Sequence, residues 1–220
     1  MTNEKKSCFL CGDLEHHGGH IAQSKNFKVL SDIAPLQEGH LLISTIKHYY
    51  SLSDLDMNAL SELSRVTDWV YHILTQVYGG TVVFFEHGMS SNCNLSACGV
   101  EHAHLHAIPL NEEKHPIFSQ TLRNFLAKTI MAEKLICVPI YDFRHLKAAQ
   151  NRNYLLLKDI DCSMKLYLSS SQFPSQLLRR YMSEYIGLPF QYNWQLFMDE
   201  EKAQKTTTSL RSQFGDSIWP

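Results

Sequence analysis

Apolar and polar positions follow two different periods along the chain, and the switches between them outline its elements. NFKVLSD (26–32) and GHLLIST (39–45) are short apolar, β-branched runs and read as strands. IAPLQEG between them carries Pro35 and Gly39 and reads as a turn. From a helix cap at Ser53 the period changes to 3.6. Leu55, Leu60, Leu63, Val66, Val70, Ile73 and Val77 fall on one stripe, which predicts a helix to about Tyr78, ended by Gly79-Gly80. TVVFFEH (81–87) predicts a buried strand. GMSSNCNLSACG (88–99) predicts a loop, and VEHAHLHAIP (100–109) a strand of strict alternation closed by Pro109. Further on, 117–128 predicts a short helix, ICVPIYDF (136–143) a strand, NYLLLKD and MKLYLSS (153–159 and 163–169) a hairpin. PSQLLRRYMSEYIG predicts a helix opening at Pro174, and 199–213 a last polar helix. Residues 1–25 read as polar and irregular.

Composition narrows the function classes. Over 220 residues with 44% apolar and 19% charged side chains, the chain has the make-up of a globular protein with a real core. A formal net charge of −2 offers no global field for nucleic acid or an anionic membrane. The opening MTNEKKSCFLCG has no apolar stretch of the secretory kind, and no run approaches the roughly 18 apolar residues of a spanning helix, so the expectation is a cytoplasmic protein. In that compartment six cysteines are expected reduced or metal-bound.

The chemistry concentrates in EHAHLHAIPL (101–110). On a strand, His102, His104 and His106 face one side, and Ala103, Leu105 and Ala107 face the other. Three imidazoles in register are a poor packing solution, because each has two ring nitrogens to satisfy. A metal site and a histidine nucleophile both fit such a row, and the row alone does not choose between them.

These residues resemble the histidine triad family, His-x-His-x-His followed by two apolar residues, in His102-Ala103-His104-Leu105-His106-Ala107-Ile108. The resemblance extends upstream through DIAPLQEGHLLISTIKH (32–48). FFEHG (84–88) before SACGVEHAHLH (96–106) is similar to a bacterial subgroup with Glu-His-Gly ahead of the triad. It covers roughly residues 8–110. It implies an α+β fold: a twisted antiparallel sheet of five strands with one long helix over 1–112, and a mixed C-terminal extension over 113–220 packed on it. It also implies a homodimer with a sheet continuous across the interface.

The resemblance implies a mechanism as well. His104 would attack the α-phosphate of a nucleotide-type substrate to give a nucleotidyl-histidine. His106 would contact the phosphate or help protonate the leaving group, and His102 would complete the triad. Asp32 would hold the ribose hydroxyls. Phe27 and Ile33 are candidates for the base pocket or for the core, and His87 for the active site or a loop cap. The backbone of Ala97, Cys98 and Gly99 would receive the phosphate. Many relatives carry a polar Gln-Ser pair where this chain has Cys98-Gly99, so backbone donors must do more here. Cys8 and Cys11 form a Cys-x-x-Cys pair, by itself a weak metal signal. The resemblance adds His48 and His102 as partners in a closed structural zinc site, with no organic cofactor.

Other residues carry plainer expectations. HHGGH (16–20) reads as a polar loop, and His40 with Gly39 as a strand entry. Cys93, Cys137 and Cys162 read as unliganded thiols. Arg179-Arg180 reads as a solvated helix face, the alternative being a phosphate contact. Trp194 and Trp219 are expected to pack the extension. Two rival functions remain. One is a metallohydrolase using the histidine row with Glu86. The other is a non-catalytic module that binds nucleotides or a protein partner.

Overall fold

The computed structural model describes residues 8–11, 19–89, 102–110, 118–130, 135–169 and 173–215. Its strands are β1 (His20–Gln23), β2 (Phe27–Ser31), β3 (Leu41–Thr45), β4 (Thr81–Gly88), β5 (His104–Leu110), β6 (Leu135–Ile140), β7 (Tyr154–Lys158) and β8 (Met164–Ser169). Its helices are α1 (Met57–Tyr78), α2 (Phe118–Thr129), α3 (Leu177–Tyr185) and α4 (Glu200–Phe214). All eight strands form one antiparallel sheet in the order β1-β2-β3-β5-β4-β7-β8-β6. The class is the expected α+β. The strand number is not: β7, β8 and β6 extend a five-stranded core beyond β4.

That extension has a geometric result. β7 pairs along its whole length with the second half of β4, from Phe84↔Lys158 to Gly88↔Tyr154. The outer strands of the sheet are therefore β1 and β6. A sheet continued into a second copy would have to run through one of those two.

The two faces of the sheet are buried differently. On one, Leu105 and Ala107 of β5 and Leu41 and Ile43 of β3 pack under α1 and α4, in a core with Leu60, Leu63, Val66, Val70 and Phe214. The apolar half of the EHAHLHAIPL alternation thus goes where its period predicts. Phe27 lies in this core at 0% exposure and does not line the active-site cleft described below. On the other face, Val83, Phe85 and Ile108 meet α2 and α3.

Local details depart from expectation for physical reasons. The cap of α1 is Asp56, whose side chain accepts from the Ala59 N–H at 2.8 Å, while Ser53 sits in a preceding 3-10 turn. β1 lies in a stretch read as irregular. Its turn into β2 is held from outside, by the buried Glu62 of α1 accepting from Ser24, the Asn26 N–H and the Asn26 side chain at 2.6–2.8 Å. Gly88 has no freedom to be otherwise: a Cβ there would meet the Tyr154 ring at 2.2 Å.

Tyr154 fills that space and donates to Glu86, whose other oxygen accepts from the Leu52 N–H at 2.8 Å. Burial raises the Glu86 carboxyl from 4.5 to about 8, against the pull of those two hydrogen bonds. A raised carboxyl binds its proton more tightly folded than unfolded, so stability falls as pH rises from about 4.5 to about 8. The slope is about 1.4 kcal/mol per pH unit for a single group. Glu86→Gln is expected to remove that slope from chemical denaturation curves run across this range. An unchanged slope in the variant would sink the assignment.

Candidate active site

The triad strand is shorter than its sequence alternation. β5 begins at His104, and His102 lies just before it. His104 and His106 share the face opposite the core, with ring centroids 4.9 Å apart at 72°. His102 reaches the Cys8–Cys11 corner through its Nδ1.

Hydrogen-bond partners fix the tautomer of each ring. His104 Nδ1 lies 2.6 Å from the His102 carbonyl oxygen. A carbonyl only accepts, so Nδ1 carries the proton and Nε2 keeps its lone pair. His40 Nδ1 accepts from the Leu36 N–H at 3.2 Å, so its proton is on Nε2. That proton is donated to His106 Nδ1 at 3.0 Å, with Asp32 Oδ2 at 3.4 Å. His106 therefore carries its own proton on Nε2. Its ring is braced by stacking on Phe85, centroids 4.5 Å apart at 16°. The site thus pairs a nucleophilic nitrogen on His104 with a donor on His106. His40, expected only at a strand entry, sets the second of these.

Burial holds these imidazoles neutral. It lowers His104 and takes His106 well below the usual histidine range, and it brings His40 to about 3 although the Asp32 carboxylate pulls the other way. Burial opposes the charge of Asp32 too, but Arg179 and then His40 outweigh it and bring the carboxyl to about 2. Arg179, expected on a solvated face, is 4% exposed. It donates from Nη1 to Asp32 Oδ2 at 2.7 Å, from Nε to the Tyr192 carbonyl at 2.8 Å, and from Nη2 to the Ala34 carbonyl. The Ala34 N–H donates to Asp32 Oδ1 at 2.9 Å.

A cleft of about 690 Å³, measured to its open mouth, lies over His104 and His106. Asp32, Ile33 and His87 are among the residues that line it. Burial lowers His87 to about 4, so it too is a neutral ring. Phe9, Leu42 and Leu178 give apolar wall. Trp194 does not simply pack the extension: it lines the cleft beside Phe9, centroids 6.5 Å apart. The backbone expected to receive phosphate, at Ala97, Cys98 and Gly99, lies outside the described residues, as do Cys93, His16, His17 and Trp219.

The second cluster is the Cys8–Cys11 corner. One ligand atom from each of Cys8, Cys11, His48 and His102 lies within 4.8 Å of the others, so the four can hold a metal ion. Cys8 Sγ and Cys11 Sγ are each 3.4 Å from His102 Nδ1, and Cys11 Sγ is 3.3 Å from His48 Nδ1. A tetrahedron with usual zinc–sulfur and zinc–nitrogen lengths has such edges near ~3.5 Å. His102 Nε2 donates to the Thr45 carbonyl at 2.8 Å, which leaves Nδ1 unprotonated for the metal. Asp32, His40 and His106 also lie within ligand distance of one another. There the His40 nitrogen facing the cluster carries a proton, which disfavours a metal. Glu86 is on the far face of the sheet with Tyr154, remote from the triad, so it cannot join the histidines in a metal site.

A family model described as "Protein similar to CwfJ C-terminal" matches residues 1–122. The chain belongs to that family. Its matched domain is histidine triad-like, and the match ends just inside α2. Solved structures of histidine triad proteins are similar at low identity. One is a histidine triad nucleotide-binding protein from Sulfolobus tokodaii, 14% identical, covering 97% of this chain and 100% of that one with a TM-score of 0.41. Another is a zinc-bound histidine triad family protein from Mycobacterium smegmatis, 21% identical over 48% of this chain and 76% of that one, TM-score 0.37. A third is the yeast Ap4A phosphorylase Apa2 in complex with AMP, 16% identical over 67% of this chain, TM-score 0.41. The chain spans 57% of the yeast protein's length. No curated protein matches at a significant level. No described helix is long and apolar enough to cross a membrane.

Proposed function

We propose that the protein transfers a nucleotidyl group from a nucleotide phosphoester, phosphoanhydride or phosphoramidate to water, through a covalent intermediate on His104. One observation carries this reading. The Nδ1–H of His104 is committed to the His102 carbonyl, which leaves the Nε2 lone pair for attack beside the Nε2–H of His106. In the first step the Nε2–phosphorus bond forms and the bond to the leaving group breaks. The leaving group departs with the electron pair, and His106 donates a hydrogen bond to a phosphoryl oxygen as charge develops there. Water then attacks phosphorus, the phosphorus–nitrogen bond breaks, and the proton released by water passes to the expelled anion or to solvent. His104 returns to its starting tautomer.

Cys8, Cys11, His48 and His102 would hold a structural zinc. The ion would cross-link the N-terminal segment to the base of the catalytic strand and take no part in the chemistry. The expected result is stoichiometric zinc in the purified protein, and a large drop in melting temperature on chelation or in Cys8→Ser. A protein that melts identically with and without chelator, and that carries no zinc as purified, would refute this.

The test of the function is rapid quenching with substrate labelled at the α-phosphate. Label is expected on the protein in an acid-labile form, with nucleoside monophosphate as product. Turnover without protein-bound label, or without dependence on His104, would remove the covalent reading. Binding without turnover would favour a non-catalytic module.

A further inference from the structure

The cleft over the triad has a wall that the matched family segment does not supply. It comes from the start of α3 and the turn before α4: Gln176, Leu178, Arg179 and Trp194. Arg179 ties this wall to the site by its bond to Asp32. Two buried polar atoms on the wall have no hydrogen-bond partner among the described residues, the acceptor Gln176 Oε1 and the donor Trp194 Nε1. Native proteins rarely leave such atoms unmet, and those that persist cluster at functional sites. The Gln176 backbone is a second anomaly, since its φ of 55° and ψ of 27° are left-handed for a non-glycine residue. α3 therefore opens with a strained residue that carries an unmet acceptor, and a tryptophan lining the same cleft carries an unmet donor.

We infer that Gln176 and Trp194 are specificity-determining residues that read the hydrogen-bonding edge of a nucleobase. A nucleobase is a flat ring with hydrogen-bond donors and acceptors side by side on its edge. The cleft provides apolar surface for such a ring in Phe9, Leu42 and Leu178. Rotated toward a seated base, Gln176 Oε1 accepts from a base amino or imino group, and the indole N–H donates to a ring nitrogen or carbonyl. This assignment rests on the nucleotidyl-transfer reading above and adds what distinguishes one substrate from another. It also gives the C-terminal half a task in recognition.

The experiment compares nucleoside 5′-phosphoramidates bearing each of the four natural bases with one bearing indole, which keeps a ring face but lacks the polar edge. For the wild-type protein, at least one natural base is expected to exceed indole in kcat/KM by about tenfold or more, through KM. Gln176→Leu is expected to erase that preference, bringing kcat/KM for the favoured natural base down toward that for indole. Trp194→Phe, which keeps an aromatic ring, is expected to reduce the preference. Equal rates for natural bases and indole in the wild type would overturn the inference, with no variant needed. So would an undiminished preference in Gln176→Leu. Both results would leave His104-dependent turnover standing. Absence of turnover and of binding for every member of the panel would instead overturn the transfer reading, and this inference with it.

Discussion

His104→Ala is expected to lower kcat by roughly 10⁴- to 10⁶-fold, the range seen when a covalent nucleophile is removed from an otherwise intact site. Affinity for a product nucleoside monophosphate is expected to change little, because the cleft wall and His106 remain. The asymmetry follows from geometry. His104 holds its partner through Nδ1 and leaves Nε2 unspent, so alanine removes the reacting atom and one local hydrogen bond. Single-turnover kinetics and calorimetric titration with the monophosphate measure the two effects. A residual rate within about tenfold of wild type would show that chemistry does not pass through this nitrogen. A parallel collapse of affinity would show that His104 binds the nucleotide instead of reacting with it.

Arg179→Met is expected to cost about 3–5 kcal/mol of stability at neutral pH, the usual penalty for stranding one member of a buried ion pair. Asp32 is 4% exposed, and Arg179 is the strongest of the influences that hold its carboxyl ionised against burial. The pH dependence has a definite sign. In the wild type the depressed carboxyl contributes stability above its ordinary value of 3.8, and this is lost as pH falls through about 2. Without the guanidinium the carboxyl is free to rise and take up a proton in the fold. The deficit of the variant is then largest near neutrality and shrinks as pH falls. Asp32→Asn placed on Arg179→Met should recover most of the loss. Urea denaturation at pH 7 and pH 4 checks both points, and a cost below about 1 kcal/mol at pH 7 would contradict them.

Periodicity located most of the elements, because their signals are local. α1 and the strands β2 to β5 stand close to where the alternation and the helical stripe put them, and so does the β7–β8 hairpin. β1 escaped because its turn is held by Glu62, some forty residues on. His104 and His106 were legible as a pair from the strand period, whereas the approach of His102 to Cys8, Cys11 and His48 is tertiary, and only the family resemblance, not the period, pointed to it. Arg179 and Trp194 were read as surface or packing residues for the same reason. An arginine in a polar helix looks solvated until its carboxylate, 147 positions away, is brought beside it. Gln176 had no sequence signal at all, since strain and an unmet hydrogen bond exist only in the folded chain.

The pairing of β4 with β7 bears on how the molecule is made. About 70 residues separate the paired positions, so the ladder is non-local and its closure is slow relative to the hairpins around it. While the first half leaves the ribosome, β4 presents an unsatisfied edge over 84–88, and Phe84 and Phe85 make it an adhesive one. Only when β7 arrives is that edge sealed. The same late segment brings α3, and with it the wall of the cleft. The cover of that edge and the outer wall of the cleft therefore both come from the second half of the chain, and truncations that stop short of β7 are expected to lack both.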